Sequence, residues 1–111
     1  MKAYIIKPLN LRRQQAIIFG PDEMSATQAV QKAAKELLRF HGKAEHTVQP
    51  IETIPDKNWS VNFRGNGSGH LKMDLSGLSI QEAIEKAEAD NFLKGSRVTH
   101  FERPLNYIRD N

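Results

Sequence analysis

Two stretches, MSATQAVQKAAKELL from Met24 and GLSIQEAIEKAEADNFL from Gly77, constrain the fold of this chain more than any other feature. Aligned on Ser25 and Ser79, they set Ala29 against Ala83, Val30 against Ile84, Lys32 against Lys86 and Ala33 against Ala87. In the first, Ala26, Ala29, Val30, Ala33 and Leu37 recur at three- and four-residue spacing. In the second, Ile80, Ala83, Ile84 and Ala87 do the same. That is the period of a helix that buries one face. Each stretch opens on a serine suited to cap a helix N-terminus, and Ser79-x-x-Glu82 completes a capping box. Asp22 and Glu23 lie near the positive end of the first helix dipole. Gly42 and Gly95 are placed to follow the two helix ends, where glycine is favoured.

Each helix is preceded by a pair of strands. Residues 3–7 (AYIIK) stop at Pro8-Leu9-Asn10, and residues 15–19 (QAIIF) stop at Gly20-Pro21. Two such runs around a polar link predict a hairpin. Neither run alternates cleanly, so these strands are expected to be buried on both faces, or partly covered by a partner. Later, Trp59, Val61 and Phe63 alternate with Ser60, Asn62 and Arg64. Leu71, Met73 and Leu75 alternate with His70, Lys72 and Asp74. Gly65-Asn66-Gly67-Ser68-Gly69 forms the turn between them. This second hairpin predicts one buried face and one polar face. A strand follows each helix: residues 46–51 (HTVQPI), at an edge or short because of Pro50, and residues 97–102 (RVTHFE).

The order strand, strand, helix, strand therefore occurs twice. The expected fold class is α+β, a tandem ββαβ pseudo-repeat with two helices packed on an antiparallel-rich β-sheet. It is expected to form one domain over 1–111, with repeat units 1–53 and 58–104, a connector at 54–57 and a tail at 105–111. One such unit alone buries only a thin core. Two are expected to share a core about a pseudo-twofold axis, where Trp59, Phe63, Ile80 and Ile84 each contribute about 1.5–3 kcal/mol by burial.

Composition removes several functions. The 111 residues include no cysteine. Disulfides, thiolate nucleophiles and cysteine-ligated zinc are therefore excluded, and a reducing compartment fits. The start MKAYIIKPLN has too short an apolar run for a signal peptide, and no stretch approaches the ~20 apolar residues of a membrane span. A soluble, cytoplasmic protein without membrane contact is expected. The net charge is only +3. Nucleic-acid binders show a clustered basic face, and the nearest cluster in sequence is Arg12-Arg13.

The run from Arg64 to His70 resembles a phosphate loop, but a strand follows it where such a loop needs a helix N-terminus. Ser68 lacks the spacing and strand-to-helix elbow of a nucleophile. His41, His46, His70 and His100 lack metal-ligand spacing, and His70 and His100 meet only if their strands are neighbours. Glu82, Glu85, Glu88 and Asp90 crowd the second helix without a fixed opposing carboxylate. No catalytic, metal or cofactor site follows, and a non-enzymatic binding protein is expected.

Two partner classes remain, for a monomer or homodimer. The favoured one is a protein partner on the apolar first hairpin, through Ile5, Ile17, Ile18 and Phe19. That is the interaction or inhibitor role of a phage- or plasmid-type accessory protein. The alternative is nucleic acid, with phosphates held by Arg12, Arg13, Arg64 and Lys72. The hairpin followed by Ser79-x-x-Glu82-Ala83-Ile84-x-x-Ala87 is similar to a short pattern of HicB-type antitoxins and of many other small bacterial and phage proteins. It spans a minor part of the chain and reflects capping plus amphipathicity, so no family is assigned from it.

Overall fold

The computed structural model describes residues 1–9, 14–37 and 45–103. Both expected helices form with their serine caps. Helix α1 (Ala26–Glu36) and helix α2 (Ile80–Glu88) each carry a full capping box, closed by Gln28 in α1 and by Glu82 in α2. The Gln28 half of the first box was not read from sequence. The second helix ends earlier than Gly95 implies. A short 3-10 turn (Asn91–Leu93) follows α2, and Gly95, at φ 81°, turns the chain after it. Gly42 lies outside the described residues.

The strands are β1 (Lys2–Pro8), β2 (Gln15–Gly20), β3 (His46–Pro50), β4 (Ser60–Gly65), β5 (Ser68–Lys72) and β6 (Ser96–Arg103). All pair antiparallel in one six-stranded sheet of order β3-β1-β2-β6-β4-β5. With two helices packed on it, the fold is α+β. Strand β3, which ends on Pro50, stands at one edge, where a missing N–H is tolerated. Strand β5 is shorter than its alternation suggests, because it ends at Lys72, before Met73 and Leu75.

The helices lie on opposite faces. Helix α1 sets Ala29, Ala33 and Leu37 against Tyr4, Ile6, Ala16 and Ile18. Helix α2 sets Ile80, Ala83, Ile84 and Ala87 in a larger cluster with Ile5, Ile17, Phe19, Trp59, Val61, Phe63 and Phe101. The 51–54 segment closes that cluster, since Ile54 N–H donates to Leu78 O at 2.9 Å and Gly77 N–H to Ile54 O at 2.9 Å.

This arrangement corrects two expectations. Ile5, Ile17, Ile18 and Phe19 are 5%, 0%, 0% and 8% exposed. They are core residues, because successive side chains of β2 point to opposite faces and each face carries a cluster. Phe19 is further enclosed by the Phe101 ring at 5.8 Å and by Lys32, whose ammonium donates to its carbonyl. These four side chains are committed to the two cores rather than to an exposed surface.

The second correction concerns symmetry. A twofold axis normal to the sheet, or along its strands, would reverse one half and set β2 beside β5 or β3 beside β6. Instead β2 pairs with β6, and both halves run in the same order, β3-β1-β2 and β6-β4-β5. The second half has opposite strand directions and its helix on the opposite face. In topology the halves differ by a half-turn about an in-sheet axis across the strands, plus a shift along that axis.

Candidate functional site

Because each helix covers only part of its face, one area of sheet stays open. On the α1 side, no described helix lies above β6, β4 and β5, and alternation puts polar side chains there. Strand register arranges them in rows. Arg97 opposes Arg64, which opposes Ser68. His100 opposes Asn62, which opposes His70. Glu102 opposes Ser60, which opposes Lys72. The other face of the same strands carries Val61, Phe63, Val98 and Phe101 in the α2 core. Arg64 and Lys72 therefore do share a surface, as the sequence reading required. Arg12 and Arg13 lie outside the described residues. His70 and His100 lie on one face but two strands apart, with Asn62 between them.

Helix α1 makes one wall of this face. A groove of about 490 Å³ runs between the last turn of α1 (Lys35, Glu36) and a floor that includes Gln14, Asn62, Arg64, His70, Thr99, His100 and Glu102. The floor is irregular for a local reason. Register passes from Asn62↔His100 to Phe63↔Val98, so Thr99 is an extra residue in β6. Such a bulge re-aims side chains and increases strand twist.

Four groups on this floor form a continuous hydrogen-bonded chain. Thr99 Oγ1 donates to Asn62 O at 3.2 Å and lies 2.9 Å from His100 Nδ1. His100 Nε2 is 2.7 Å from Glu102 Oε1. Gln14 Nε2 donates to Glu102 Oε2 at 2.9 Å. An ionised carboxylate only accepts, so His100 Nε2 carries a proton. The Thr99 hydroxyl has one proton for two acceptors, and the network has two arrangements. In one, the hydroxyl turns to a neutral imidazole. In the other, an imidazolium donates to the hydroxyl, which donates to Asn62 O. Hydroxyl, imidazole and carboxylate stand in the order of a nucleophile, base and orienter. Here the imidazole is 4% exposed and the hydroxyl is bonded into the strand ladder, which suits a network that fixes the bulge.

Two acceptor oxygens in the groove are left over. Gln14 Oε1 and Glu36 Oε2 are buried without a hydrogen-bond partner. Arg64 Nη2 approaches Glu36 Oε2 only to 3.5 Å. Gln14 cannot relieve this by flipping its amide, because its nitrogen is needed at Glu102. An orphaned buried acceptor costs about 1–3 kcal/mol.

The opposite side of β6 is tied up within the fold. Arg103 stacks 4.5 Å over the Trp59 ring, donates to Gln15 Oε1 at 3.2 Å and forms an ion pair with Asp56. The glycine-rich turn has a structural use of its own. A Cβ on Gly65 would sit 2.6 Å from Gly95 O, and one on Gly95 would strike the Asn66 side chain. Turn and β6 thus approach more closely than other residues allow.

The sequence reading missed Gln14, Lys35, Glu36, Arg97, Thr99, His100 and Glu102 as groove or face residues. One signal was present. In RVTHFE, two polar residues rather than one separate Val98 from Phe101, which breaks the period of a strand and marks a bulge.

Among the described residues, no group of three or more His, Asp or Glu side chains is placed to hold a metal. No described helix is long and apolar enough to cross a membrane. Comparison with protein-family models, curated proteins and solved structures returned no match.

Proposed function

We propose that this chain is a small non-enzymatic binding protein whose partner is a nucleic-acid strand, held on the open polar face of β6, β4 and β5. The reading rests on one observation above others, the cross-strand pair Arg64↔Arg97. Like charges directly opposite on a sheet destabilise it. Arg64 has Glu36 beside it, but Arg97 has no carboxylate partner among the described residues. A phosphate between the two guanidiniums would turn that cost into charge-assisted hydrogen bonds. Lys72 on the same face and Lys35 on the α1 wall extend the positive charge. A protein partner, favoured from sequence, loses its support because the apolar side chains assigned to it are core residues.

Fluorescence anisotropy against single-stranded DNA, RNA and duplex DNA tests this. With three or four phosphate contacts, affinity should fall about 20- to 50-fold between ~50 and ~200 mM salt. Arg97→Ser should reduce the salt slope by about one contact. Absence of binding to all three at low salt would remove nucleic acid from consideration.

A further inference from the structure

We infer that the groove beside Arg64 takes one unpaired nucleobase of a bound strand, and that it selects bases carrying an exocyclic amino group. This rests on the nucleic-acid reading above and adds to it a pocket and a base preference.

Two buried acceptors in the groove lack a hydrogen-bond partner. Gln14 Oε1 is buried without a donor, and Glu36 Oε2 has only the Arg64 guanidinium, 3.5 Å away and too poorly placed for a hydrogen bond. Buried acceptors of this kind call for a donor from outside. A relay fixes the Gln14 amide with its nitrogen on Glu102, which leaves the oxygen as the free acceptor. The bulge fixes Thr99, Thr99 holds His100, His100 holds Glu102, and Glu102 occupies the amide nitrogen. Such a chain pre-organises an acceptor rather than leaving it to adapt.

The ligand must therefore supply N–H donors inside and negative charge at the rim. Arg64 belongs to both regions, lining the groove while forming the cross-strand pair with Arg97. A nucleotide has this polarity, with a base edge of donors and acceptors joined to a phosphate. The volume of about 490 Å³ lies in the usual range for small-ligand sites. Cytosine N4, adenine N6 and guanine N2 each carry two protons to donate, whereas thymine and uracil offer a carbonyl in the place of the cytosine amine. A carbonyl there would face Gln14 Oε1 or Glu36 Oε2, acceptor against acceptor. An unpaired base is the natural occupant, because a paired one would first incur the cost of unpairing and unstacking.

The test compares oligodeoxycytidine with oligodeoxythymidine of the same length at pH 7.5, since these differ chiefly in amine against carbonyl. The wild-type chain should bind the cytidine strand about tenfold more tightly. Gln14→Met and Glu36→Gln, assayed separately, should each move that ratio toward one. Glu36→Gln changes a partly exposed helix side chain, so it keeps the test available if Gln14→Met does not fold. Salt-dependent binding with equal affinity for the two strands would overturn the pocket while leaving the phosphate face standing. A wild-type preference that survives both substitutions would overturn the assignment to these acceptors. Binding to neither strand would remove the function and the pocket together.

Discussion

The two hairpins differ in one respect that governs the whole molecule. In β1 and β2 the buried residues run consecutively, Ala3 to Ile6 and Gln15 to Phe19. In β4 they alternate, with Val61 and Phe63 buried and Asn62 and Arg64 not. The first hairpin lies at the overlap of two cores, one under α1 and one under α2. The second has a core on one side and an open polar face on the other. An unbroken apolar run in a strand thus reports covering on both sides, by the fold itself in this case. Alternation reports a face left for water or for a ligand. The open polar face lies on the hairpin that looked ordinary, not on the one that looked sticky.

The largest test of that contrast is Ile18→Asp. A carboxylate at a fully buried site has no partner, so the cost should exceed about 4 kcal/mol and abolish the cooperative urea transition followed by circular dichroism. Lys72→Ala, on the open face, should stay within about 0.5 kcal/mol of wild type. A folded, soluble Ile18→Asp chain that had lost only binding would restore the first hairpin as the partner surface.

A smaller effect is expected at the boundary between the hairpins. Glu102→Leu leaves His100 Nε2 and Gln14 Nε2 without their acceptor. Urea unfolding should show about 1–3 kcal/mol of destabilisation. An unchanged midpoint would mean that the relay is not formed in solution.

The smallest contrast is between the helix caps. In α2, the Ser79 backbone N–H and then its hydroxyl hydrogen bond with Glu82, and together they hold the Glu82 carboxyl below its ordinary value. Its folded pKa is therefore lower than its unfolded one. The cap's full contribution is present above the ordinary glutamate range and is lost as pH falls through and below it. In α1 the same position is Gln28, which does not titrate. Protection from amide exchange, after correction for the intrinsic pH dependence, should fall at the start of α2 on acidification relative to the start of α1. An equal loss of protection at both would show that Glu82 does not carry the difference.

Much of the fold was legible because it is local. Ser25 and Ser79 mark helix starts through short-range hydrogen bonds, the alternation around Trp59 marks β4, and Pro50 marks an edge. The site was less legible because it is assembled from distant pieces. Gln14 reaches Glu102 only because β6 inserts between β2 and β4, a choice that no local pattern encodes. Likewise, nothing in either helix says which face of the sheet it will cover. Once α1 and α2 fell on opposite faces, the polar rows of β4 and β5 became a floor beside Lys35 and Glu36.

The position of β6 also bears on how the protein is made. Of the described strands it is the last to leave the ribosome, yet it is a central strand, flanked by β2 and β4. Until it emerges, β2 and β4 lack the neighbour that joins β3-β1-β2 to β4-β5, and any sheet formed by either group has an unpaired edge where β6 will dock. Such edges recruit other chains, and pairings between remote segments form late. Aggregation during synthesis should therefore respond more to the rate at which residues 96–103 are translated than to the stability of the finished fold.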